Sequence, residues 1–378
     1  MKEQMMEIPF YRQESGVVEH DHIADVLDGD NGDYVQKLEE EFQAYIGAEY
    51  AIATSSGTGA LHLAMLALDL KRGDKVICSV NAFPSVPEVV RHFDAEPTFI
   101  DIDPITYNID LDKLEKYLED NASRKLKAVI VSHIAGQCVD LERLYAMAKK
   151  YDVKIVEDAA DALGATYNGD KIGSTGADIT CFSFSLHLKN AICNGGMIVT
   201  NDEEIKERAK LLRNHAMIVN EDGLDYIYDI VAIGNKYTMS QLDAAYILAQ
   251  LEKLDNQIAR QREIAQTYSD ALDGTAHISV PNMENEDQSF SLYIIEIDKN
   301  RDSFAKELEE NGIKTALHYI PLHLLSYYKT KYMLRVNDFP IALKTFQKVL
   351  SIPIFPSMSD AEVKYVVDTI KKIAKTRV

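Results

Sequence analysis

The chain has 378 residues, with 60 acidic and 40 basic side chains and a formal net charge of −20. That length predicts a large domain plus a smaller one. The dispersed Lys and Arg under such a charge argue against a nucleic-acid partner, and no run of about 18 apolar residues is present to span a membrane. Cys78, Cys138, Cys181 and Cys193 are scattered without a CxxC pair. Neither a disulfide framework nor a metal site is therefore expected, and reduced thiols fit a cytoplasmic protein. The opening MKEQMMEIPF lacks the apolar run of a signal peptide.

In chain order, Val35, Leu38, Phe42, Tyr45 and Ile46 recur at helical spacing, with Gly47 as a stop. A helix carrying Leu61, Leu63, Met65 and Leu66 is expected after Ser55-Ser56-Gly57-Thr58. KVICSV (75–80), PTFIDID (97–103), KAVIVSH (127–133) and VKIVED (153–158) read as short buried strands. The amphipathic stretches LDKLEKYLED and VDLERLYAMAKKY lie between the later ones. This alternation predicts an α/β fold, a mostly parallel sheet with helices on its faces. Asn168-Gly169 signals a hairpin, and ITCFSF (179–184) and GMIVTN (196–201) are further strands. One long helix from Ser240 to Leu272 is expected to link a large domain (1–240) to a smaller one within 241–378. That second region offers a strand at 292–297, a helix ending near Gly312, a strand around Leu317–Ile320 and a closing helix from about Asp360.

Four features fall at or just after strand ends. Ser55-Ser56-Gly57-Thr58-Gly59 is a small-residue turn at a helix start, where free N–H groups and hydroxyls suit a phosphate. Phe83, after KVICSV, can stack on a ring. Asp158 closes an apolar strand, and an acid there can keep a pyridine nitrogen protonated. Lys189 follows CFSFSLHL, and a partly desolvated lysine can form a Schiff base. Each has a plainer reading: a turn capped by Thr58, a core Phe, an N-cap Asp, a surface Lys. Among the histidines, His62 and His133 read as structural.

Together the four occur in an order that resembles the nucleotide-sugar aminotransferase family named after DegT, DnrJ and StrS, a branch of the fold-type I enzymes of pyridoxal phosphate (PLP). The resemblance runs from IPFYRQ through SSGTGALHLAMLAL, EDAADALGATYNGDKIGSTGAD, FSFSLHLKN and NGGMIVTND to HYIPLH. It implies a seven-stranded large domain with a smaller C-terminal α+β domain. It implies PLP bound through Gly57, Thr58 and Ser183 at the phosphate, Phe83 on the ring, Asp158 at the ring nitrogen and Lys189 as Schiff-base and proton-transfer residue. GNKYTMS (234–240) resembles a segment reaching a neighbouring subunit's site, with Lys236 toward that phosphate, so a homodimer with shared active sites is implied. His318, Tyr319 and His323 of HYIPLH, and His215, resemble substrate-side positions. The implied reaction moves an amino group from L-glutamate to a nucleotide-diphosphate keto sugar, with C4 of a 4-keto-6-deoxy sugar as first choice. Alternatives are a sugar 3-dehydratase, a 3-keto-sugar aminotransferase or a catalytically silent regulator. Three departures stand out. Leu188 occupies the usual lysine place, with His187 close by, so that Lys189 reads as one residue further along. Asp161 stands where Gln or His packs on the cofactor, and a second carboxylate there would raise one of the two pKa values. Ala316 replaces a frequent Arg.

Overall fold

The computed structural model describes residues 5–29, 32–184, 193–219, 227–283 and 288–377. Seven strands form the central sheet: β1 (Tyr50–Thr54), β2 (Lys75–Ser79), β3 (Glu96–Ile100), β4 (Leu126–Ser132), β5 (Lys154–Asp158), β6 (Ile179–Ser183) and β7 (Gly196–Thr200). Their spatial order is β1-β7-β6-β5-β4-β2-β3. Only β7 runs against its neighbours, pairing antiparallel with both β1 and β6. Sheet polarity therefore brings the carboxyl ends of β1, β2, β4, β5 and β6 to one edge, where ligands collect in sheets of this kind.

The strands are apolar on both faces because both are covered. Side chains alternate between two core clusters: Ala51 and Ala53 face one and Ile52 the other, as Val129 and Val131 do against Ala128 and Ile130. The first face is covered by helices Tyr34–Ile46, Leu111–Asn121, Leu141–Tyr151 and Gln241–Leu251. The second is covered by Gly57–Ala67, Ser85–Arg91 and Glu203–Leu212. Capping follows the sequence: Gly47, at φ 83°, returns its N–H to Gln43 and ends the helix Tyr34–Ile46, while Asp33 caps its start. Asn168 (φ 53°) and Gly169 (φ 91°) make the two-residue turn between Thr166–Tyr167 and Asp170–Lys171.

Two expectations are corrected. The helix from Ser240 to Leu272 is two helices, Gln241–Leu251 and Leu254–Leu272. The first is buried on nearly all sides against the sheet's helices, whereas the second is amphipathic and packs Ile264, Ala265, Tyr268 and Leu272 into a third cluster. A single axis cannot serve both cores, and the chain turns at Glu252-Lys253, where Lys253 pairs with the buried Glu19. The second correction is Leu317–Ile320, which forms no strand. Ala316 alone bridges Ser351, and the chain then enters a 3-10 turn at Leu322–Leu324. The third cluster surrounds the small sheet of Ile278–Ser279, Tyr293–Ile297 and Val349–Ile352. It also takes in Ile8, whose backbone bonds to Gly312 and Lys314.

Candidate active site

At the sheet edge lies a cavity of about 280 Å³. Gly57 and Thr58 enter it from the start of helix Gly57–Ala67, and Phe83 from the loop after β2. Ser132, Asp158 and Ser183 come from the last residues of β4, β5 and β6, and His318 and Tyr319 from the stretch before the 3-10 turn Leu322–Leu324. The helix cap is Ser56, not Thr58: Ser56 Oγ accepts the Gly59 N–H at 3.0 Å. The first N–H groups of a helix have no partner within it, so those of Gly57 and Thr58 are available to an anion, on the favourable end of the helix dipole. The turn is packed tightly. A Cβ on Gly57 would meet Ser183 Cβ at 2.5 Å, and one on Gly196 would meet Ser56 O at 2.5 Å.

Two carboxyl groups share the floor. Asp158 accepts from Ser132 Oγ at 3.1 Å on one oxygen and from the Ala160 N–H at 3.3 Å on the other. Burial raises its pKa, and these two donors oppose the rise. Asp161, only 4% exposed, accepts from the Ala135 N–H and the Tyr319 hydroxyl, each at 3.4 Å and both on Oδ2. Burial and the Asp158 charge push its pKa up to about 7. Oδ1 of Asp161 is buried without a hydrogen-bond partner. Tyr319 stays protonated, because burial and the two carboxyls hold its pKa well above the usual range. Its ring stands edge-on to Phe83, with centroids 5.9 Å apart, and Phe83 itself is half-exposed into the opening. A second cavity of about 150 Å³ adjoins the first through Asp161 and Ser183 and carries Tyr11, Gln13 and Ser291 on its far wall.

The structure thus brings together Gly57, Thr58, Phe83, Asp158, Asp161, Ser183, His318 and Tyr319. It places His323 elsewhere, a correction. His323 is fully buried beside Phe339 with Nε2 on the Val336 carbonyl, a core residue whose pKa burial lowers. His215 is also outside the cavity lining; it is exposed at φ 60°, its N–H on the Asn235 carbonyl. Lys236 is exposed too, with Nζ 3.1 Å from Asn214 Oδ1, and Tyr237 beside it takes the Ser55 N–H on its carbonyl. Lys189, with Leu188 and His187, lies outside the described residues. His62 is structural, stacked on Phe93 with its pKa lowered to about 4 by burial. His133 goes the other way. Sequence reading takes it as structural, yet it lines the cavity, with Nδ1 accepting the Val139 N–H and Nε2 3.7 Å from Glu157. Its signal, with Ser132, is position: both stand at the end of a strand adjoining the one that ends in Asp158.

An anion cradle, an aromatic wall and an acid beneath them, held on a mostly parallel sheet between two helical layers, define an α/β enzyme that binds a phosphorylated aromatic ring, and the donor set fits PLP. Comparison with known proteins agrees. The model of the DegT/DnrJ/EryC1/StrS aminotransferase family matches residues 15–371, and the chain belongs to that family. The chain is 35% identical over 357 residues to the spore coat polysaccharide biosynthesis protein SpsC of Bacillus subtilis, covering 91% of this chain and 90% of that one. It is 30% identical over 376 residues to the GDP-perosamine synthase of Escherichia coli O157:H7, covering 97% and 99%. Among solved structures, Spr1654 from Streptococcus pneumoniae, described as a candidate sugar aminotransferase, superposes in its PLP form with a TM-score of 0.89 at 27% identity, covering 98% and 99%. It is also known in a PMP form.

Proposed function

We propose that this enzyme transfers an amino group from L-glutamate to C4 of a 4-keto-6-deoxy sugar carried on a nucleotide diphosphate. The observation that carries the reading is the convergence of the 57–58 helix start, Ser183, Phe83 and Asp158 in one cavity. PLP, when bound, supplies an electron sink and a carrier for the amino group. Gly57 and Thr58 N–H groups with the Ser183 hydroxyl hold its phosphate, and Phe83 flanks the ring. Asp158, kept ionised by Ser132 and Ala160, holds the proton at the ring nitrogen. Lys189 is assigned to anchor the cofactor and to move a proton at its Nζ. His318 and Tyr319, at the mouth on the small-domain side, orient the sugar. Names of relatives that make a GDP-linked product or a spore coat polysaccharide support a nucleotide-sugar acceptor. The preference for C4 rests on HYIPLH.

The working unit is proposed to be a cytoplasmic homodimer with shared sites. The ribbon Met217–Val219 with Tyr228–Ile230 supports the pairing. Met217, Val219, Tyr228 and Ile230 lie on one of its faces, and the last three are exposed. Absorption spectra test the chemistry: wild type with PLP has a long-wavelength band that L-glutamate shifts to shorter wavelength, and Lys189→Ala lacks the band. Restoration of the band by a 4-keto-6-deoxy sugar nucleotide supports the acceptor. A spectrum indifferent to glutamate overturns the donor assignment.

A further inference from the structure

Asp161 is the least explained group in the cavity. It stands three residues after Asp158, in the wall between the two chambers, and nearly all of it is buried. Two carboxylates in so dry a place do not both ionise readily. No described residue lining either chamber is a lysine or arginine. Among the described residues, the titratable groups facing Asp161 are Asp158 from the end of β5, Cys181 from β6, His133 from just after β4, and His318 and Tyr319 from the stretch before the 3-10 turn. Tyr11, Tyr246 and Cys193 complete the set across the second chamber. The thiols and phenols stay protonated, since burial raises every one of them. His133 accepts the Val139 N–H at Nδ1. His318 is turned to the Ser351 hydroxyl, 2.8 Å from its Nδ1.

The hydrogen bonds decide which carboxyl keeps a proton. Asp158 has a donor on each oxygen, so its charge is stabilised and neither oxygen is bare. Asp161 has both donors on Oδ2 and none on Oδ1. A bare ionised oxygen without water is costly, whereas the same atom protonated is a hydrogen-bond donor looking for an acceptor. We propose that Asp161 is a positioning residue that remains neutral beside ionised Asp158 and donates its Oδ1 proton to an acceptor oxygen on the cofactor ring. The proposal rests on the PLP reading above for its ligand only. The ring hydroxyl of PLP is such an acceptor, and the donation would fix the ring's rotation about the axis that Asp158 and the phosphate turn define. In this role the second carboxyl complements the first, because one negative charge faces one protonated ring nitrogen.

The test compares wild type, Asp161→Asn and Asp161→Leu. Asn keeps a donor of similar shape without titrating, and Leu removes the donor. In cofactor-free protein at pH 6, the infrared difference between wild type and Asp161→Asn should contain a protonated-carboxyl stretch; its absence overturns the neutral assignment. The dissociation constant of PLP is then measured by cofactor fluorescence from pH 5.5 to 8.5. Wild type should bind at least tenfold more weakly at the top of that range than at the bottom. Asp161→Asn should hold the low-pH affinity throughout, and Asp161→Leu should be weak throughout. A wild-type affinity that rises with pH, or an Asn variant as weak as Leu, overturns the donation. If wild type binds no PLP at any pH, the cofactor reading falls and the donation with it, while the infrared result still decides which carboxyl holds the proton.

Discussion

Replacing Gly196 by Ala tests whether the anion cradle depends on close backbone approach. The new Cβ would lie 2.5 Å from Ser56 O, 2.6 Å from Ser56 C and 2.7 Å from Gly57 N. Comfortable separations begin near 3.5 Å, so something must move by roughly 1 Å. All three neighbours are backbone atoms and cannot rotate aside. The strand cannot slide away either, since Gly196 pairs with Thr54 on one side and Ser183 on the other. Overpacking of this kind costs about 3 kcal/mol, the upper part of the usual range. The displaced atoms carry the N–H groups assigned to the phosphate, and misplacement on the order of 1 Å costs about 100-fold in a positioned reaction. Urea denaturation and PLP titration should therefore both change, with stability lower by about 3 kcal/mol and affinity by ten- to a hundredfold. Gly274→Ala is the control: it has a φ of 69° but nothing within 4 Å of its added Cβ. It should cost about 1 kcal/mol from backbone strain and leave PLP affinity intact. Wild-type affinity and stability in Gly196→Ala would refute the cradle argument.

Three further outcomes are expected. Asp161 holds its proton to about pH 7 when folded against 3.8 as a free carboxyl, so its contribution is full below pH 3.8 and lost by pH 7. The loss is roughly 4 kcal/mol, and cofactor-free Asp161→Asn should be the more stable protein at pH 8 by urea denaturation, with a flatter pH profile. Asp158→Asn should retain PLP but slow the glutamate-driven spectral change by about 100-fold or more in stopped-flow records; an unchanged rate rules out the ring-nitrogen role. Ile230→Asp places a charge on the apolar face of the ribbon, and if the proposed homodimer forms there light scattering should show wild type as dimer and the variant as monomer. A dimer that persists unweakened would move the interface elsewhere.

Much of the cavity lining was legible because its residues end strands. β5 announces Asp158 by an apolar run closed with acids, and Ser183 and the 55–59 turn are marked in the same way. Periodicity is silent where the deciding contact is remote. The break at Glu252-Lys253 contains neither Gly nor Pro and follows from two cores pulling one helical sequence in different directions. Leu317–Ile320 has strand-like composition, but only Ala316 finds a sheet partner. His318 and His323 belong to one motif and separate because the 3-10 turn at Leu322–Leu324 drives the second into the core beside Phe339. The paired environment of Asp161 and Tyr319 joins residues 158 positions apart, a distance no local pattern spans.

The single reversed strand also dictates when the site can exist during synthesis. β1 is made early yet has β7 as its one sheet neighbour, nearly 150 residues later in the chain. Until residues 196–200 leave the ribosome, the first strand and the phosphate turn that follows it have no edge to join, however well β2 to β5 have assembled. A nascent chain stopped at residue 195 would carry Asp158 and Phe83 on β2, β4 and β5 but lack the strand that joins the turn to that rim. On that topology the phosphate turn is completed only after residue 196 is made, and cofactor capture is expected to follow it.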